Sequence, residues 1–245
     1  PNGAGFQGPG VFLQNNTGAT FSFDQLTILT GSGDPTDMTN NGGSAFVALD
    51  GGTVNFNSVP DLTARGGAVL HLRDVIGTFQ NAPGLVFDDL TTIQRNGAGI
   101  IINGVTNDVL ITNAFIPNDR LDAGGNNDAA SGNAVEILNT FATGATVTIE
   151  DSLIENFTNT GINIVDSIAV VRGTNVIADP TFDGDGDATA DLNSIDGIGV
   201  AATNGNTSQV LLEGNMIETI TGSAVDVTVA PTGTVEFAMT DNVLG

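Results

Sequence analysis

Four aspartates, Asp183, Asp185, Asp187 and Asp191, form the densest concentration of metal-binding chemistry in the sequence. Carboxylates in a D-x-D-x-D pattern converge on a hard cation that takes about 6–8 oxygen ligands, and calcium is the ion that such a loop suits. Asp179, Asn193 or Asp196 could complete the shell. An EF-hand would have Gly where Ala188 stands and a bidentate Glu where Ser194 stands, so a helix–loop–helix site is not expected. The competing reading of the same residues is a solvated acidic loop. A cation that binds only the folded chain raises its melting temperature. We therefore expect a higher melt in calcium than in chelator, and identical melts would remove the site.

Other reactive groups are sparse. His71 is the only histidine, and its alternation with Leu70 and Leu72 places it outward beside Arg73. One imidazole without companion ligands does not make a zinc site. Cysteine is absent, which excludes thiolate chemistry and disulfides, and no nucleophile stands in a motif with a base. Trp and Tyr, the usual stacking platforms for neutral sugars, are absent as well. Three Asn-x-Ser/Thr triplets begin at Asn15, Asn156 and Asn206, a pattern that chance supplies readily in a chain so rich in these residues.

The charge balance narrows the partners. Lys and Arg together number 5, all of them Arg, against 28 acidic residues, for a net charge of −23. Such a field repels a phosphate backbone, so nucleic acid is not an expected partner. It attracts divalent cations and suits salty or calcium-containing surroundings, and the expected location is extracellular or at the cell surface. No apolar run approaches the roughly 20 residues of a membrane-spanning helix. The chain begins at Pro1 without a basic-then-apolar leader, and any export signal is expected to lie outside this sequence.

The elements that must position these residues follow from a repeat. A Gly, an alternating apolar strand, a turn, a second alternating strand and a short apolar pair return along the chain, with Gly10, Gly43, Gly67, Gly97, Gly132, Gly161, Gly197 and Gly222 opening the copies. Val135 and Ile137 alternate with Glu136, and Val147 and Ile149 alternate with Thr148 and Glu150, so each strand has one apolar face. A single copy cannot bury that face, whereas stacked copies share a continuous core. The 33 Gly and the many Asn and Asp supply the bends. After the second strand come Ala114, Ser152, Asn175, Asn215 and Asn242, where stacked side chains could share hydrogen bonds.

These residues resemble the parallel β-helix repeat family, the pectate-lyase-like solenoid superfamily. Its pattern V-x-I-x-x-N-x-I followed by G-I-x-I is matched by Val210, Leu212, Asn215, Ile217, Gly222 and Val225. The resemblance covers nearly the whole chain and implies an all-β fold, a right-handed parallel β-helix of about eight coils forming one domain over residues 1–245. A sandwich of short antiparallel strands is the rival, but it does not require the regular return of Gly-x-x-Val.

The family includes polysaccharide lyases and hydrolases alongside spikes, adhesins and fibres, so the fold alone does not assign an activity. Asp88 and Asp89 resemble the adjacent acids of the glycosidase branch, but the accompanying G-H-G and R-x-K elements are missing. Lysine is absent, so a lysine base is excluded and the cationic track that lyases use for acidic polysaccharide is thin. Catalysis is therefore not expected.

The expected role is structural. The chain reads as a surface fibre, filament subunit or adhesin stalk that self-associates end to end or laterally, with calcium stiffening its acidic loops. Lateral contact, or cover by a loop, is suggested by outward Phe12, Val69, Ile101, Leu138 and Val165 on the first strand. The alternatives are a carbohydrate-active enzyme and a polysaccharide-binding solenoid.

Overall fold

A computed structural model describes residues 8–30, 43–93, 97–117, 133–155, 157, 159–178 and 195–245. The chain is all-β, and it winds its strands into parallel sheets stacked about a shared core. The first face holds eight strands in chain order, from Val11–Gln14 to Val225–Val229. The third face holds another eight, from Thr27–Leu29 to Val243–Leu244. Each strand pairs in parallel with its equivalent in the next copy, the arrangement of a parallel β-helix.

Alternation explains the core. On the first face Val11, Phe46, Leu70, Ile100, Val135, Ile162, Ile198 and Val225 stand in one register column, and the interior members are buried. Each such side chain stabilises the fold by about 1.5–3 kcal/mol when fully removed from water. At the beginning of the stack Phe23, Phe46, Phe56 and Phe87 pack with ring centroids 5.3–5.7 Å apart.

Two columns of left-handed residues turn the corners. Asn15, Asp50, Asp74, Gly104, Asn139 and Asp166 follow the first-face strands, and Asp89, Asn113, Asp151, Gly173, Gly214 and Asp241 follow the second-face strands, all with positive φ. Among L-residues Asn and Asp tolerate that conformation best, which is why the composition is so rich in them.

The second face departs from the simple repeat. Its six-stranded sheet runs from Leu85–Asp88 to Thr234–Thr240, but the first copies use a separate sheet of Thr20–Phe23, Thr53–Phe56 and Ile76–Phe79. There the chain doubles back through an antiparallel hairpin, pairing Phe79 with Ala82 across Gln80 and Asn81, whose φ values are 52° and 62°. Two consecutive positive φ values are what a two-residue hairpin loop needs to match strand twist. The second pass lies against the first, since a Cβ on Gly77 would sit 2.5 Å from Leu85 Cγ.

Three local expectations are corrected. The small-residue column is Gly10, Ala45, Val69, Gly99, Ala134, Gly161, Gly197 and Ala224, so Gly43, Gly67, Gly97 and Gly222 lie two residues ahead of it. Its members face the third-face side chains across a tight corner, and a Cβ on Gly197 would stand 2.5 Å from Ile217 Cγ2. Val69 belongs to this column and is buried, not outward. The polar corner position in its copy is Thr174 rather than Asn175, which pairs with Leu153 and Met216 inside the strand.

Candidate functional site

The open end of the stack is built from the residues of the last coil. Val200 pairs with Val227, Val210 with Phe237, and Ile217 with Leu244, so the second member of each pair occupies a core position. The first members are 0–4% exposed, but Val227 is 43%, Phe237 37% and Leu244 50% exposed. Among the described residues, these side chains and the outer edges of their three strands have no further coil against them.

A ladder of side chains leads to this end. At the second corner the register column runs Ile28, Leu62, Leu90, Ala114, Ser152, Thr174, Asn215 and Asn242. From Ala114 onward each backbone N–H donates to the side-chain oxygen of the next coil. Ala114 donates to Ser152 Oγ at 3.1 Å, Ser152 to Thr174 Oγ1 at 3.4 Å, Thr174 to Asn215 Oδ1 at 3.0 Å and Asn215 to Asn242 Oδ1 at 2.9 Å. The Asn215 amide also donates to Asn242 Oδ1 at 2.9 Å, the sharing between stacked asparagines that the sequence suggested.

A second feature is a groove on the outside of the six-stranded sheet. Val86, Leu110, Thr148, Val170, Leu211 and Ala238 are in register along its floor, and the hairpin at Ala82 and Pro83 walls one end in a cleft of about 530 Å³. Arg172 stands in this cleft with its Nε 2.6 Å from Glu150 Oε1, so its charge is already matched. Asp108, also in the cleft, accepts the Thr146 N–H at 2.8 Å and so ties its coil to the next.

The aspartates singled out for chemistry take structural positions where they are described. Asp88 Oδ1 accepts from Thr112 Oγ1 at 2.6 Å and Asn113 Nδ2 at 2.8 Å, and these donors hold its carboxyl below the usual carboxylate range. A carboxyl stabilised as the anion is a poor proton donor, and Asp89 beside it is a left-handed corner residue. Asp183, Asp185, Asp187 and Asp191 lie outside the described residues. Among the described residues no three His, Asp or Glu side chains are grouped to hold a metal ion. The corner hydrogen bonds and the hairpin are features that sequence reading placed imperfectly or missed.

His71 is half-buried on the outer first face between Val47 and Ile101. Burial, reinforced by the charge of Arg73, lowers its pKa below the usual histidine range. Folding thus favours neutral imidazole, so its stabilising contribution is complete above about pH 6.5 and is lost as pH falls through the folded pKa. His71→Gln is expected to lessen the drop in urea midpoint between pH 7 and pH 5, and an unchanged drop would count against this role. Asp88 and Asp50, the latter held low first by its hydrogen bonds from Arg73, act with the same sign further into acid, below the ordinary carboxylate range.

No family model, curated protein or solved structure matches the chain. The class is therefore defined by the architecture itself, a parallel β-helix solenoid. Among the described residues no helix is long and apolar enough to cross a membrane.

Proposed function

We propose that the protein is an extracellular structural element, a stalk or fibre segment of the non-enzymatic branch of pectate-lyase-like solenoids. The observation that carries this reading is the stacking of equivalent strands in parallel register along two eight-stranded sheets around one core. A stack of repeats in which each coil contacts only its neighbours presents an extended side surface, as a spacer requires. The charge of −23 keeps such a surface from indiscriminate association, and calcium bound in the acidic loops would stiffen the stack.

Catalysis finds less support, because Arg73 and Arg172 are each paired to a carboxylate and Asp88 is held as an anion. The outer groove favours polysaccharide binding as the second reading, with an aliphatic floor and polar rims along the solenoid. Electron microscopy of the protein isolated from its native source is the test. The structural reading expects unbranched rods one solenoid wide, and compact particles that turn over an acidic polysaccharide would overturn it.

A further inference from the structure

The outer face of the six-stranded sheet carries an aliphatic stripe along the side of the solenoid. Alternation sends every second side chain outward, and Val86, Leu110, Thr148, Val170 and Leu211 stand there in one register column, each half-buried. Four coil-to-coil steps of about 4.8 Å make this stripe roughly 19 Å long. Two residues further along each strand is a rim formed by Asp88, Thr112, Glu150, Arg172 and Glu213, and the corner aspartates Asp89 and Asp151 adjoin it. Among the described residues Arg172 is the single cation on this face, and it is paired to Glu150 at 2.6 Å. The opposite rim brings Asp108 against Thr146, and the hairpin at Ala82 and Pro83 closes one end in the cleft of about 530 Å³.

We propose that this face docks an amphipathic helix of another protein, with aliphatic side chains on the stripe and Lys or Arg along the flank that meets the acidic rim. Dimensions and charge select this occupant. The two rims lie at opposite ends of strands such as Thr146–Glu150, about 13 Å apart, and a helix with its side chains is about 10–12 Å across. Lysine and arginine lay their stems on apolar surface while their charged heads reach outward, so a flanking cation can pass from the stripe to a rim carboxylate. A second copy of the chain lacks this chemistry, because its net charge is −23 and its Arg73 and Arg172 are already paired. An acidic polysaccharide would bring carboxylates to carboxylates. The docking face lies on the side of the solenoid and is independent of a role as a stalk.

The probe is a synthetic helical peptide with a leucine stripe and lysine flanks, about fourteen residues and so roughly 21 Å long. Titrated into the whole protein by calorimetry, it should bind at least about tenfold more tightly than the same peptide with Glu in place of every Lys. Val170→Asp is the deciding variant, because it removes aliphatic surface from the stripe while adding negative charge. Docking on the stripe predicts about tenfold weaker binding, whereas general attraction of a basic peptide to an acidic protein predicts binding unchanged or tighter. Glu213→Gln should weaken binding about threefold. Glu136→Gln removes the same charge from the outer first face and should leave binding unchanged.

Circular dichroism checks that Val170→Asp keeps its fold, and the comparison of Glu213→Gln with Glu136→Gln decides the matter if it does not. Undiminished binding by folded Val170→Asp, or equal effects of the two glutamate variants, would overturn the stripe as the docking site. Failure of the lysine peptide to bind at millimolar concentration would overturn it too. Polygalacturonate titrated alone supplies the remaining arm. No binding is expected, and binding that Val170→Asp abolishes would make an acidic polysaccharide the occupant and overturn the proposal.

Discussion

Gly161→Val is expected to destabilise the protein by more than about 3 kcal/mol, which would appear as a collapse of the urea unfolding midpoint followed by circular dichroism. A Cβ at this position would stand 2.6 Å from Val176 Cγ1, 2.6 Å from the carbonyl oxygen of Gly197 and 2.9 Å from Phe157 Cζ. The side-chain neighbours could turn, but the Gly197 carbonyl belongs to the backbone of the next coil, and moving it strains the coil-to-coil stacking on which the core depends. Valine adds three carbons to a space that does not admit one. Gly199→Ala is the matched control, because its nearest neighbour would be the terminal Thr160 Cγ2 at 3.3 Å, and a change within about 0.5 kcal/mol is expected. Similar losses at the two glycines would remove the tight corner from the account.

Val200→Asp and Val227→Asp should differ sharply although the two valines are register partners on adjacent coils. Val200 is 1% exposed, so its replacement places a carboxylate in the core at a cost of several kcal/mol and prevents folding at room temperature. Val227 is half exposed at the open end, and an aspartate there keeps its water; the expected loss is under about 1 kcal/mol. Melting curves of the two variants give the comparison directly. An equally severe effect at Val227 would mean that the last coil is covered in solution.

Much of this architecture could be read from alternation alone. Val135 and Ile137 against Glu136, repeated coil after coil, require one apolar face per strand, and only stacking buries it. What alternation does not set is phase at the corners. Gly173, Thr174 and Asn175 are three consecutive residues that each suit a bend, and Thr174 takes the corner because its hydroxyl both donates to Arg172 O at 3.1 Å and accepts the Ser152 N–H. Glycines two residues apart, such as Gly97 and Gly99, were ambiguous for the same reason: one takes a left-handed turn and the other a close approach to Ile116.

The hairpin escaped notice because Gln80–Asn81 lacks the glycine that usually marks such a loop. Of the functional residues, the ladder from Ser152 to Asn242 was partly legible as recurring polar corners, whereas its direction, with each N–H reaching forward to the next coil, is a property of the stacked backbone.

The absence of cysteine makes the central claim, parallel strands in register along a single spiral, open to direct measurement. In register, Thr146 pairs with Ile168 and Glu150 with Arg172 on adjacent strands about 4.8 Å apart, within the Cα separation that a disulfide spans. Cysteine pairs placed at 146 and 168, and separately at 150 and 172, should both close intramolecular disulfides under mild oxidation. The crossed pair at 146 and 172 should not, because four residues of extended chain offset it by roughly 13 Å. Closure of the crossed pair, with the two in-register pairs remaining open, would mean antiparallel strands and would contradict the spiral.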